Sequence, residues 1–146
     1  MVGGGVVPDR GARLAVERLL DVARFWLNRG VDGFRLDTIN FYFHDDQRRD
    51  NPALPPQDRN DTIAPSVNPY NWQDHLHDKN RPENLEFLRR FRDVLDEFPA
   101  ATAVGEVGDA QRGLEIQAEY TAGGDKVHMC YDCAFLSNAY PTGTRV

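Results

Sequence analysis

Two acids end short apolar runs in this 146-residue chain, Asp37 after Phe34-Arg35-Leu36 and Glu106 after Ala103-Val104-Gly105. Side chains alternate along a strand, so Arg35 and Asp37 share one face. A fixed cation beside a carboxyl favours its charged form, the form a nucleophile needs. Glu106 sits among Gly105, Gly108, Val104 and Val107, and apolar surroundings keep a carboxyl protonated, as a general acid must be. One charged and one neutral carboxyl, roughly 5–5.5 Å apart, is the division of labour in retaining glycoside hydrolysis. Spacing alone is also compatible with blander roles, Asp37 capping a turn and Glu106 lining a loop.

Whichever role they have, the elements around these acids must place them. Over 12–28, polar Arg13, Glu17, Asp21, Arg24 and Asn28 recur every three or four positions and leave a broad apolar face, predicting an amphipathic helix stopped by Gly30. The run 31–37 reads as a strand ending at Asp37. Five prolines and many Asn and Asp residues between 38 and 79 exclude a long helix or strand there and predict one long loop. Its aromatics Phe41, Tyr42, Phe43, Tyr70 and Trp72 suit a surface that stacks on a ligand. Asn80 followed by Glu83 resembles a capping box, and Phe87, Leu88, Phe91, Val94, Leu95 and Phe98 mark the apolar face of the next helix. A strand at 101–106, a helix near 114–120 and a strand near 127–131 follow. This alternation is the rhythm of parallel α/β architecture. Acids at strand ends favour a (β/α)8 TIM barrel over a doubly wound sheet, and no Gly-rich phosphate fingerprint follows either strand.

With 23 acidic against 17 basic residues the net charge is -6, which argues against a nucleic-acid partner. No apolar run approaches the roughly 20 residues of a membrane span, and the first residues lack a signal-peptide pattern. The expectation is a soluble, cytoplasmic protein. Cys130 and Cys133 form a single C-x-x-C. On a strand, residues three apart point to opposite faces, so a redox or zinc role is not expected.

At these residues the chain resembles a known family. Gly30-Val31-Asp32-Gly33-Phe34-Arg35-Leu36-Asp37-Thr38 is similar to the nucleophile strand of the α-amylase superfamily of glycoside hydrolases, and Val104-Gly105-Glu106-Val107 to its acid/base strand. Asp78-Lys79-Asn80-Arg81-Pro82-Glu83-Asn84 resembles the branch of oligo-1,6-glucosidases and α-glucosidases. The likeness runs from about Leu19 to about Phe135. It implies a partial catalytic barrel over 12–146, covering about the fourth to sixth strands, behind an unmatched segment 1–11. In that frame Asp37 is the nucleophile, Glu106 the acid/base, Arg35 the partner of Asp37, and Thr38 a substrate-side residue of the kind found in enzymes preferring α-1,4 bonds. No cofactor or metal is implied. The partner is a small oligosaccharide or α-glucoside, cleaved by a retaining α-glucosidase, or rearranged by a transglycosylase or isomerase of the same superfamily.

The departures are as specific. The family's earlier Asp and Asn-His pair, and its later His-Asp pair with the third catalytic carboxylate, do not occur in this sequence. His75, His77 and His128 fit neither motif, and His44 reads as structural. A non-catalytic barrel remnant is therefore a further alternative, and the 146-residue chain by itself is expected to be inactive and prone to self-association.

Overall fold

The computed structural model describes residues 10–59, 64–65, 67–109 and 111–132. Helix and strand alternate as α1 (Arg10–Leu27), β1 (Gly33–Leu36), α2 (Pro82–Asp96), β2 (Thr102–Val107), α3 (Gly113–Thr121) and β3 (Met129–Asp132). Of the expected unmatched segment 1–11, residues 1–9 lie outside the described residues, and Arg10 and Gly11 already belong to α1. Cys133 also lies outside them.

Spacing explains α1: Val16, Leu20, Ala23 and Leu27 recur along one stripe and pack into the core. Gly30, at φ +89°, ends the helix in a conformation that a side chain would disfavour. Arg24 then joins α1 to the end of α2 through a two-pronged contact with Glu97, with bonds of 2.7–3.1 Å.

All three strands are parallel, in the order β1-β2-β3. Ala103 and Val107 of β2 are fully buried on the helix side with Ile39, Leu88 and Val94. Glycine at 105 is a packing requirement, because a Cβ there would lie 2.3 Å from Cδ1 of Ile39 and 3.3 Å from Sγ of Cys130. The opposite face carries Arg35, Val104, Glu106, Met129 and Tyr131, two residues apart along each strand.

Three expectations need correction. The strand is shorter than 31–37 and ends at Leu36, because Thr38 takes a left-handed conformation (φ 38°, ψ 54°) that turns the chain away. The segment after β1 is not uniformly irregular: it contains short 3-10 turns at Ile39–Phe41, Pro56–Asp58 and Pro69–Trp72, and an antiparallel bridge between Ala53 and Gln73. Asn80 does not cap α2. It lies at φ 53° with its side chain committed elsewhere, and Arg81 precedes the helix with Pro82 in its first turn.

Most of the loop's aromatics pack on protein rather than forming a free platform. Phe41 lies 6.1 Å from Tyr70, Tyr42 and Phe43 meet Phe87 at 5.7 and 6.0 Å, and Tyr70 stacks on His75 at 4.0 Å. Trp72 remains partly exposed, with the Arg59 guanidinium 5.5 Å above its ring.

Between α1, α2 and β1 runs an apolar groove of about 760 Å³, lined among others by Leu19, Val22, Phe34, Leu36, Phe87 and Phe91. Leu14, Phe25 and Trp26 add further exposed apolar surface on α1, and the outer edge of β1 has no strand beside it among the described residues. Open parallel edges and large apolar faces drive association. The 146-residue chain expressed alone should therefore elute from size exclusion as oligomers and melt without a sharp transition. A monodisperse monomer with a cooperative melt would contradict this.

Candidate active site

The register of the sheet brings the two acids together. Leu36 pairs with Gly105, so one step further along parallel strands Asp37 falls beside Glu106, and Glu106 itself pairs with Tyr131. Asp37, just beyond the end of β1, Glu106 on β2 and Tyr131 on β3 thus lie at the same end of the same face.

Arg35 organises them. Its Nη1 lies 2.8 Å from Oδ1 of Asp37, its Nη2 contacts Oε2 of Glu106, and its Nε donates to the Tyr131 hydroxyl at 3.0 Å. The guanidinium is held above its already high pKa, first by the Tyr131 hydrogen bond and then by the charges of Asp37 and Glu106. The carboxyl of Asp37 is held below the usual carboxylate range, first by a hydrogen bond shared with Glu106 and then by the charge of Arg35, with desolvation opposing both. The ionised form expected at Asp37 therefore has a second cause besides Arg35.

Glu106 is buried, as its apolar neighbours suggested, but its carboxyl end is polar. Besides Arg35, the backbone N–H of Thr38 points to its Oε2 at 3.4 Å. A β-branched residue at positive φ is strained, and such strain persists where surrounding structure enforces it. At Thr38 the strain turns the chain directly after Asp37 and aims an N–H at Glu106.

Asn40 holds the two strand ends in register. It is fully buried; its amide donates to the Gly108 carbonyl (3.2 Å) and to Oδ1 of Asn80 (3.0 Å), while its Oδ1 accepts the Gly108 N–H (3.1 Å). Its own carbonyl accepts from the Asn80 N–H and from the Asn84 side chain. Asn80 continues to Asp109 at 2.8 Å, and Lys79 meets the same carboxylate at 3.2 Å while lying over the rings of Phe41 and Tyr70. Burial opposes the charge on Asp109, yet hydrogen bonds from the Arg112 N–H and Asn80, with Lys79 nearby, keep its pKa below the ordinary range. The long segment after β1 is therefore pinned to the loop after β2.

Sequence reasoning singled out Asp37, Glu106, Arg35 and Thr38, and the fold brings all four together. It missed Tyr131, whose only signal was its alternation in β3, and Asn40, which carried no signal beyond being an Asn in a loop. Three of the histidine rings have local partners: His44 bonds the Asp45 carbonyl, His75 bonds Asp78, and His128 accepts the Ala103 N–H, whereas His77 is tied through its backbone N–H to Asn51 and its ring Nδ1 is buried without a hydrogen-bond partner. Burial pushes the Cys130 thiol up to about 11. Among the described residues no group of three His, Cys, Asp or Glu side chains is placed to hold a metal ion. Neither Asp37 nor Glu106 lines the apolar groove.

A parallel β/α sheet with carboxylates at its strand ends is consistent with part of a catalytic (β/α)8 barrel domain. The pattern described as "Alpha amylase, catalytic domain" matches residues 13–145, and the chain belongs to that family. It is 72% identical over 130 residues to a probable alpha-glucosidase of Rhizobium meliloti (strain 1021), covering 89% of this chain and 24% of that protein. A trehalose synthase/amylase, TreS, of Mycobacterium tuberculosis is 32% identical over 120 residues, covering 79% and 15%. In three dimensions the chain superposes on the crystal structure of an alpha-glucosyl transfer enzyme, XgtA, with TM-score 0.78 and 48% identity, covering 86% of this chain and 23% of that one. The chain spans about a quarter of the length of the first and last of these relatives.

Proposed function

We propose that residues 12–146 are the part of a retaining α-glucosidase that supplies its nucleophile and its acid/base, on the fourth and fifth strands of a (β/α)8 barrel, with β3 as the sixth. The observation that carries this reading is the single Arg35 guanidinium joining Asp37 and Glu106. Asp37, kept ionised, attacks the anomeric carbon while Glu106 protonates the departing glycosidic oxygen. The resulting glycosyl-enzyme is then opened by water, with Glu106 acting as base. Asp37 and Glu106 are each held by the same guanidinium, Asp37 on Nη1 and Glu106 on Nη2. The Asp37 side chain, 71% exposed beyond its strand end, has room to turn toward a sugar.

Two displacements at one carbon return the original configuration, so the first sugar released in the whole protein should be α-glucose. Proton NMR of the earliest product tests this, and initial β-glucose would overturn the mechanism. Thr38 supports a preference for α-1,4 over α-1,6 bonds; isomaltose cleaved faster than maltose would remove that inference alone.

A second reading is glycosyl transfer, favoured by the similarity to an alpha-glucosyl transfer enzyme. The same glycosyl-enzyme can pass its sugar to another hydroxyl. With maltose as sole substrate, glucose alone supports hydrolysis, and longer or rearranged sugars support transfer.

A further inference from the structure

Arg35 is a long side chain, about half exposed, and it must hold a planar fork across two carboxyls. An arginine carries about 2 kcal/mol of rotamer entropy that a single-pronged contact does not overcome. Two prongs to Asp37 and Glu106 would leave the fork free to follow either acid when a substrate separates them. The third contact removes that freedom: the Nε–H points to the Tyr131 hydroxyl at 3.0 Å, from the strand on the far side of Glu106.

We propose that Tyr131 is a positioning residue of this site, whose hydroxyl fixes the plane of the Arg35 guanidinium so that it spans Asp37 and Glu106 at once. This rests on the glycosidase reading above. Asp37 reaches its low pKa partly through Arg35. Freeing Nε lets the guanidinium drift from Asp37, and the carboxylate is then protonated at higher pH. The groups facing the cluster are Glu106 from β2, Tyr131 from β3 and Tyr42 from the segment after β1. The Tyr42 phenol is pushed up to about 12, chiefly by burial and next by the Asp37 charge, so it does not titrate in the working range.

Tyr131→Phe in the whole protein removes only the oxygen, from a residue that is partly exposed, so folding is preserved. With an aryl α-glucoside and with maltose, kcat should fall roughly tenfold, the scale of one hydrogen bond to a charged group. KM should stay within about twofold, and the acid limb of the kcat/KM profile should move to higher pH. In an Arg35→Lys background, which has no fork to hold, the same substitution should have little further effect, because residues acting through one another are not additive. Wild-type kcat and pH profile for Tyr131→Phe would overturn the proposal. So would a rise in KM seen only for Tyr131→Ala, which would make the ring a sugar-stacking surface, or full additivity with Arg35→Lys. Asp37→Asn is run alongside: an inactive Asp37→Asn beside a wild-type Tyr131→Phe sinks the positioning role alone, whereas an active Asp37→Asn sinks the glycosidase reading as well.

Discussion

Asp37→Asn and Glu106→Gln should each remove about three powers of ten or more of turnover in the whole protein on an unactivated glucoside, while leaving its melting temperature close to wild type. Losing a nucleophile or a proton donor costs on the order of 4 kcal/mol of transition-state stabilisation. Neither change alters volume much, and the side-chain amide introduced by Glu106→Gln keeps an oxygen to accept the Arg35 N–H. The two variants should separate on an aryl glucoside with a good leaving group. That substrate hardly needs a proton, so Glu106→Gln should recover much of its bond-breaking step and Asp37→Asn should not. Steady-state kinetics on both substrates decide this, and more than a tenth of wild-type turnover on maltose by either variant would refute its assignment.

The second large effect is expected at a residue that does no chemistry. Asn40→Ala deprives the Gly108 N–H and carbonyl and the Asn80 side chain of their partner in a fully buried place. Buried polar groups left unpaired cost about 1–3 kcal/mol each, partly relieved by relaxation, so a loss of roughly 2–4 kcal/mol is expected. Asn40→Asp should be no better, because a carboxylate would face the Gly108 carbonyl and lose both donated bonds. Since Gly108 lies two residues beyond Glu106 and Asn40 three beyond Asp37, activity should fall together with stability. Urea unfolding of the whole protein and kcat measured well below its transition provide the check. An Asn40→Ala protein with an unchanged midpoint would show that this network contributes little.

Much of the fold was legible because it rests on periodicity. The helix over Arg10–Leu27, the helix over Pro82–Asp96 and the short run leading to Asp37 each repeat their apolar residues at the period of the element they form, and the run leading to Glu106 is short and mostly apolar, as a strand buried on both faces is. Boundaries were less legible, since the left-handed turn at Thr38 and the commitment of Asn80 to Asp109 follow from contacts distant in sequence. The same holds for the aromatics after β1: composition suggested a ligand surface, and packing on Phe87 and His75 consumed most of it.

By itself the sequence determined the residue types that chemistry requires, an arginine two positions before an acid on one strand and a second acid ending another, because alternation along a strand is local. Only the tertiary structure decided that one guanidinium serves both acids, that Tyr131 completes its coordination, and that Asn40 locks the two strand ends together. Those facts depend on the pairing register of strands about 70 and 25 residues apart, Leu36 with Gly105 and Glu106 with Tyr131. Register is set by packing across the whole sheet, and a one-residue slip would have turned every one of these side chains to the opposite face.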